Sequence, residues 1–142
     1  MTHETFRRCL AADSELEPAL SCTTEAFTAP GGRIVVLRVV GEIDMASLPT
    51  LRGWLDGALS GAATHLLVDL NEITFCSVDG FCELATVDNR AAEIGVGYAL
   101  IGPPTWFELY WSMLSLGQIQ RYRSVAQAVI SIRTDQAVGD LG

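Results

Sequence analysis

The segment LLVDLNEITFCSVDGF, residues 66–81, combines a strand with the start of a helix, and the rest of the chain is arranged around it. Its first five residues are apolar except for Asp69, a pattern typical of a strand that is covered on both faces in a parallel sheet. Ser77 is a good N-cap residue, and Asp79 in the next turn suits the positive end of the helix dipole. We therefore predict that a strand delivers a helix N-terminus to the end of a sheet, where anionic groups are stabilised. Asp69 is expected to accept backbone hydrogen bonds rather than to do chemistry.

The composition indicates one folded domain that does not bind nucleic acid. The chain has 142 residues, of which 49% are apolar and 18% charged, so it can bury a core of its own. The net charge is −8, there is no lysine, and the nine arginines form no basic stripe. No apolar run is long enough to span a bilayer, and the N-terminus lacks the apolar region of a signal peptide. We therefore expect a cytoplasmic protein that does not enter membranes and whose partners have basic surfaces.

The order of the elements predicts an α/β fold. In chain order the pattern predicts a strand over 21–27, a strand over 34–40, a helix over 47–61, the central strand and helix, a strand over 98–101, a helix over 105–116, a short strand over 119–122 and a helix over 124–132. This alternation predicts a mixed sheet of four to five strands with helices packed against it. Residues 1–20 are predicted to be a loosely packed leader, 21–133 the domain, and 134–142 a frayed tail.

The helix predicted over 105–116 is unusually apolar. Glu108, Ser112 and Ser115 are its main polar residues, and core packing accounts for only one face of a helix. The remaining aromatic side chains predict a surface for a partner or for a homodimer, unless the leader covers it. The residues assigned to this association surface are Trp106, Phe107, Tyr110 and Trp111.

Four motifs in order resemble those of a STAS domain, the fold of anti-sigma-factor antagonists and of the cytoplasmic tails of sulphate transporters. They are GEID at 41–44, VDL at 68–70, FCSVDGF at 75–81 and GPP at 102–104. In the family the first reads glycine, glutamate, leucine or isoleucine, aspartate. The third contains aspartate, serine, serine or threonine, glycine and leucine. The resemblance covers about residues 21–132 and implies a single STAS-like domain.

The resemblance implies a non-enzymatic partner switch that controls transcription. A family member binds an anti-sigma factor, often a serine kinase, and so releases a sigma factor. The resemblance places partner binding at the loop around Asp44 and at the start of the second helix. The residues carried over from that helix start are Ser77, Val78, Asp79, Gly80 and Phe81.

The chain departs from the family pattern at the phosphorylated residue. When Gly80 is aligned with the family glycine, Val78 stands where the phosphorylated serine stands, and valine has no hydroxyl group. Either this regulation is absent or the neighbouring Ser77 has taken the role. Capping of the helix is the competing interpretation of Ser77, and we favour it. We expect a constitutively binding-competent antagonist.

Other kinds of function have weaker support. A STAS-type sensor of a small ligand, a nucleotide or a lipid, bound near 77–80 is the alternative. Redox modulation through Cys76 and Cys82 would fit it, because a helix N-terminus stabilises a thiolate. His3 and His65 form no triad with a serine and a carboxylate, so we expect no enzyme activity. No CxxC pair occurs, and the sequence predicts neither a metal nor a cofactor.

Overall fold

The computed structural model describes residues 2–8, 19–29 and 32–141, with side chains described for 19–28 and 32–135. Its elements are β1 (Thr2–Arg8), β2 (Leu20–Ala29), β3 (Gly32–Ile43), α1 (Leu48–Ser60), β4 (His65–Cys76), α2 (Val78–Glu93), β5 (Gly97–Ile101), α3 (Thr105–Met113), β6 (Gln120–Tyr122) and α4 (Val125–Leu141). The predicted α/β class and the mixed sheet with packed helices are confirmed.

The described strands form one sheet in the order β1-β2-β3-β4-β5-β6. The pairs β1–β2 and β2–β3 are antiparallel, whereas β3 to β6 are parallel to one another. Five of the strands were predicted. The sixth is β1, which lies in the predicted leader and pairs with β2, so β2 is not at the edge of the sheet. Residues 9–18 of that leader lie outside the described part of the chain.

Successive side chains of the strands point to opposite faces of the sheet, where they form two hydrophobic clusters, one on each face. The larger cluster joins the strands to α1, α2 and α3, and includes Val68, Leu84 and Phe107. The smaller one lies under α4, where Ala128 and Ile132 pack against alternate residues of β3, β4 and β5. Helix α4 continues to Leu141, through the residues that were predicted to form a frayed tail.

The central strands are longer than their apolar runs. β4 continues to Cys76, beyond its apolar run at 66–70, and β3 continues to Ile43. The two strands stay paired across two irregularities of register. Gly41 has φ +111°, and a Cβ there would collide with the carbonyl oxygen of Ala19, so only glycine fits. Because β3 and β4 stay paired to their last residues, their C-terminal ends lie together at one end of the sheet.

Candidate functional site

The ends of β3 and β4 meet at the predicted binding site. Ile43 is in register with Cys76, and the backbone N–H of Ser77 donates to the carbonyl oxygen of Ile43 at 2.8 Å. The two strands are parallel neighbours, so their C-terminal ends lie together. Asp44 directly follows Ile43, and the N-cap of α2, Ser77, directly follows Cys76. Asp44 and the start of α2 therefore lie at the same end of the sheet.

A closed turn holds Asp44. Its N–H donates to Ser47 Oγ at 2.9 Å, and the N–H of Ser47 donates to Asp44 Oδ1 at 2.8 Å. Ser47 Oγ also donates to the carbonyl oxygen of Glu42 at 3.0 Å. The hydrogen bonds from Ser47 lower the pKa of Asp44 below its ordinary value, so its carboxylate stays charged. Ser47 does stand at the N-cap position of α1, but its side chain makes no capping hydrogen bond there, since it closes this turn instead.

Ser77 caps α2 as the sequence predicts. Its backbone is extended (φ −72°, ψ 163°), and its Oγ accepts a hydrogen bond from the N–H of Gly80 at 3.1 Å. Asp79 lies in the first turn, at the positive end of the helix dipole. The Ser77 hydroxyl therefore has a structural role. Its phosphorylation stays a prediction.

Gly80 lets α2 begin directly on the end of β3. A Cβ at this position would lie 2.6 Å from Ile43 Cγ2 and 2.9 Å from Cys76 Sγ. Both distances are shorter than side chains tolerate, so a larger residue would push the helix away from the strands. Gly80 therefore positions the site by allowing this close approach.

The predicted partner-binding residues differ in exposure. Val78 and Asp79 are exposed, Asp44 and Ser77 are half-buried, and Gly80 is buried. Phe81 is also buried, with its ring centroid 4.6 Å from that of Phe107, so its ring supports the site from beneath. The Phe81 ring was expected to contact a partner, but the hydrophobic core beneath α2 takes it up.

The sequence pattern did not indicate three exposed residues near the ends of β3 and β4. Glu42 is the register partner of Phe75, and Met45 lies in the turn after β3. Phe75 and Met45 are both among the large apolar side chains that remain exposed. Met45 could have been found from the sequence, because it is a large apolar residue inside an otherwise polar turn. Glu42 and Phe75 alternate with the buried Ile43 and Cys76, so they face the side of the sheet opposite α2. We refer to the exposed or half-exposed residues in the turn after β3 and in the first turn of α2 as the sheet-end surface, which consists of Asp44, Met45, Val78 and Asp79.

Asp69 has the structural role that was expected of it. It is buried, and its Oδ1 accepts from the backbone N–H and the side-chain Nδ2 of Asn71 at 3.0 and 2.8 Å. Its Oδ2 accepts from Nε of Arg38 at 3.2 Å on the neighbouring strand. Every one of these contacts stays inside the sheet, so Asp69 ties β3 to β4.

The cysteine environment opposes the redox interpretation at Cys76. Burial, with a smaller contribution from nearby Cys82, raises the pKa of the Cys76 thiol to about 12. A helix N-terminus was expected to favour its thiolate, but the loss of water dominates here. Cys76 and Cys82 are free thiols, and Cys82 is exposed.

The association surface predicted on α3 is wrong for two of its four residues. Phe107 and Trp111 are buried in the larger cluster, and Trp111 Nε1 donates to the carbonyl oxygen of Gly117 at 2.8 Å. Trp106 is half-buried, and Tyr110 is exposed. Leu109 and Met113 are the further exposed apolar residues of this helix. Association through Tyr110 stays a prediction.

A metal site and a ligand site at the start of α2 find no support in the described residues. They contain no group of three or more His, Cys, Asp or Glu side chains placed to hold a metal ion. Two cavities, of about 390 and 360 Å³, lie beside α1 near Trp54 and beside β4 near His65. Neither is lined by residues 77–81. Within the described part of the chain, no helix is long and apolar enough to cross a membrane.

Comparison with known proteins agrees with this geometry. The family pattern described as "Mlab, STAS domain" matches residues 28–121. None of the curated protein sequences is significantly similar to the chain. An anti-sigma factor antagonist from Mycobacterium paratuberculosis has a similar structure, with 26% identity, a TM-score of 0.59, and coverage of 80% of this chain and 95% of that one.

Two further solved structures share the fold at lower identity. SpoIIAA, a Bacillus cell fate determinant and anti-sigma factor antagonist, was solved in its unphosphorylated form. It is 17% identical, with a TM-score of 0.63 over 78% of this chain and 96% of its own. RsbS from Moorella thermoacetica is 10% identical, with a TM-score of 0.65 over 79% of this chain and 96% of its own. The family match, which covers more than half of the residues, and these shared folds lead to one conclusion: this chain belongs to the STAS domain family.

Proposed function

We propose that this protein is an anti-sigma-factor antagonist, a cytoplasmic, non-enzymatic regulator that binds an anti-sigma factor or a switch kinase and so controls sigma-factor-dependent transcription. The observation that carries the proposal is the junction at the Ile43–Ser77 hydrogen bond. It brings together the two segments to which the family resemblance assigns partner binding. The similarity to the Mycobacterium paratuberculosis antagonist, over nearly the whole of that chain, supports the same role.

We favour this role over a small-ligand sensor. The sensor would need a cleft at the start of α2, but Gly80 and Phe81 fill that place with packed atoms. The two cavities described above lie elsewhere, near Trp54 and His65. The sheet-end surface is exposed, which suits contact with another protein.

The proposal includes partner binding that does not depend on phosphorylation. Val78 is exposed at the position of the family's phosphoacceptor, but it cannot accept a phosphoryl group. The hydroxyl of Ser77 already accepts the capping hydrogen bond from Gly80. Asp79 adds one negative charge nearby, which is less than a phosphate carries, and it points about 100° away around the helix. An apolar residue at 78 resembles an unmodified serine, so the protein is expected to remain competent for binding.

The first experiment is affinity purification from the native cell followed by mass spectrometry. Wild type is expected to retain an anti-sigma factor or serine kinase, and Asp44→Lys to bind the purified partner at least about tenfold more weakly, about 1.4 kcal/mol. Glu93→Lys is the matched control, because it makes the same charge change on an exposed residue at the other end of α2. Failure to retain any such partner, or equal binding by both variants, would contradict the proposal.

The second experiment tests regulation. The protein is incubated with the partner kinase and ATP, and modified residues are mapped by mass spectrometry in wild type and in Val78→Ser. We expect no phosphate on wild type, and phosphate on the introduced serine with release of the partner. Stoichiometric phosphate on Ser77 of wild type, with release of the partner, would instead show an ordinary switch shifted by one residue.

A further inference from the structure

A cavity of about 360 Å³ lies between the sheet and the second half of α4. It is placed where β4 and β5 begin, since His65 and Gly97, which line it, are the first residues of these strands. The sheet-end surface lies beyond the last residue of β4, so the cavity is at the opposite end of the sheet. Its volume falls at the small end of the range for ligand sites, about 300–1,000 Å³.

The cavity exists because β5 places small residues on this face of the sheet. Gly97 is in register with His65, and Ala99 with Leu67. A Cβ on Gly97 would lie 2.5 Å from Cδ2 of His65, so glycine is needed for the imidazole ring to lie against the strand. Leu67, Ala99 and Ile132 line the cavity and belong to the smaller hydrophobic cluster, which makes its floor apolar.

The hydrogen bonds of Thr64 decide which ring nitrogen of His65 carries the proton. Thr64 Oγ1 accepts from the backbone N–H of Arg33 at 3.0 Å and donates to the carbonyl oxygen of Arg33 at 3.1 Å. A hydroxyl group has one proton, so the ring must be the donor in the 3.1 Å contact between Nδ1 of His65 and Thr64 Oγ1. Burial lowers the pKa of His65, so its ring is neutral at neutral pH and Nε2 is a hydrogen-bond acceptor.

The protein leaves this acceptor unused. No described residue donates a hydrogen bond to Nε2 of His65. In the described part of the chain, the buried side-chain N and O atoms that lack a partner belong to Arg90, so Nε2 is not sealed in and is accessible from the cavity that its ring lines. Asp135 lines the cavity from α4 and is exposed. Of the described lining residues, only Asp135 carries a charge at neutral pH.

These groups determine the kind of ligand that the cavity suits. The apolar floor and the half-buried rings of His65 and Tyr122 fit a flat ring. Nε2 of His65 and the carboxylate of Asp135 both accept hydrogen bonds, and a carboxylate binds a charged donor more strongly than a neutral one. An anion would find no positive charge among the described lining residues.

We propose that this cavity is a binding site for a small organic cation, a flat ring that carries an amidinium or ammonium group. Leu67, Ala99 and Ile132 contact the ring, and Nε2 of His65 and the carboxylate of Asp135 accept hydrogen bonds from the charged group. This site goes beyond the proposed function and does not depend on it, since it lies at the other end of the sheet.

The test uses three probes that share one ring and differ in charge. Benzamidine is cationic, benzamide is neutral and benzoate is anionic. Each is titrated into the full chain, and binding is followed by NMR chemical-shift changes of the backbone amides. We expect benzamidine to shift amides in 64–67, 97–99 and 120–122 with a dissociation constant of about 1 mM, which is reasonable for so small a ligand. Benzamide is expected to bind at least about tenfold more weakly, and benzoate to cause no shifts there.

Variants locate the binding residues. Asp135→Asn is expected to weaken binding of benzamidine at least about fivefold. Glu72→Gln is the matched control, because it removes a carboxylate from an exposed residue near the other end of β4. Ala99→Leu fills the floor of the cavity and is expected to abolish the shifts. The melting temperature of Asp135→Asn should stay near that of wild type, because the replaced side chain is exposed, so this variant decides the proposal even where Ala99→Leu does not fold.

Each outcome supports or overturns the proposal. Benzamidine binding at the cavity that Asp135→Asn weakens and Glu72→Gln leaves unchanged would support it. Absence of shifts at concentrations about tenfold above 1 mM, equal binding of benzoate, shifts centred elsewhere, or equal effects of Asp135→Asn and Glu72→Gln would overturn it. Binding of an anti-sigma factor is measured separately, so failure of one proposal leaves the other standing.

Discussion

At the scale of single residues, the hydrogen bonds between Asp44 and Ser47 keep a negative charge in the turn after β3. Each residue donates its backbone N–H to the side-chain oxygen of the other. The hydrogen bond from the Ser47 N–H to the Asp44 carboxylate, with a smaller contribution from the Ser47 side chain, favours the ionised form of Asp44, which is why its pKa lies below the ordinary aspartate value of about 3.9. The turn therefore keeps a negative charge beside Met45 at any pH at which the protein would meet a partner.

We predict that Ser47→Ala raises the pKa of Asp44 part of the way toward the ordinary value, because it removes the contribution of the Ser47 side chain and keeps that of the backbone N–H. In wild type the folded pKa lies below the unfolded one, so this carboxylate stabilises the fold above about pH 4, and the contribution is lost as the pH falls through the lower folded pKa. A titration followed by NMR at the Asp44 side chain measures the change. Thr50→Ala, a substitution in the first turn of α1, is the control. An unaltered pKa of Asp44 in Ser47→Ala would contradict this account of the hydrogen bonds between Asp44 and Ser47.

At the scale of secondary-structure elements, the contact between α2 and β3 determines the geometry of the site. Helix α2 begins one residue after its capping serine and lies directly on Ile43. Gly80 and Gly57 provide a matched comparison. Both are helical, but a Cβ at 80 would meet Ile43 and Cys76, whereas one at 57 meets nothing within 4 Å.

We predict opposite signs for the same substitution at these two glycines. Gly80→Ala is expected to lower the free energy of unfolding by about 1–3 kcal/mol, because the new methyl group overpacks the contact with β3. Gly57→Ala is expected to raise it by about 0.5–1 kcal/mol, because alanine loses less backbone freedom in a helix. Urea denaturation measures both. A neutral Gly80→Ala would show that α2 shifts without cost.

The apolar helix α3 divides into a core face and an exposed face. Phe107 stacks on Trp111 with ring centroids 5.8 Å apart, and both touch the ring of Phe81. Leu109 and Met113 are exposed. The high apolar content of this helix therefore serves packing first, and only the second face is available to a partner.

We predict that Phe107→Ala lowers the free energy of unfolding by about 3–5 kcal/mol, because it leaves a cavity in the larger cluster. Leu109→Ala, a large-to-small change on the exposed face of the same helix, should alter it by less than about 0.5 kcal/mol. Chemical denaturation compares the two variants. Similar values for both would mean that the two faces are not divided in this way.

At the scale of the whole molecule, the fold is a sheet with a hydrophobic cluster on each side. The family match ends at residue 121, but α4 begins only at Val125. Helix α4 nevertheless buries Ile34, Val36 and Ile101 on the second face of the sheet. It is therefore part of the folded unit.

We predict that Ala128→Asp lowers the free energy of unfolding by at least about 3 kcal/mol, because Ala128 is fully buried and a carboxylate there has no partner. Ala126→Asp is the control, since Ala126 is exposed in the first turn of the same helix, where a negative charge suits the helix dipole. Thermal and urea unfolding report the difference. Equal stability of both variants would show that α4 does not pack on the sheet as described.

The sequence alone determined most of the elements and the end of the sheet at which Asp44 and Ser77 lie. The apolar run at 66–70 and the spacing of apolar residues in the helices reflect local geometry, which the chain carries in its own periodicity. Asp44 and Ser77 lie at the same end of the sheet because a helix joins two parallel neighbouring strands, which places the C-terminal ends of these strands together. The N-cap at Ser77 likewise needs only residues that are close in sequence.

The tertiary structure alone decided which side chains are buried and which are exposed. Trp111 is buried while Met45 and Phe75 are exposed, because burial depends on elements that are distant in sequence, and a helix with apolar residues on several faces does not indicate which face will find a partner. The sequence pattern also missed the pairing of β1 with β2, which depends on hydrogen bonds between strands rather than on periodicity. At Cys76, burial raises the pKa of the thiol, because the loss of hydration destabilises a thiolate more than the helix dipole stabilises it.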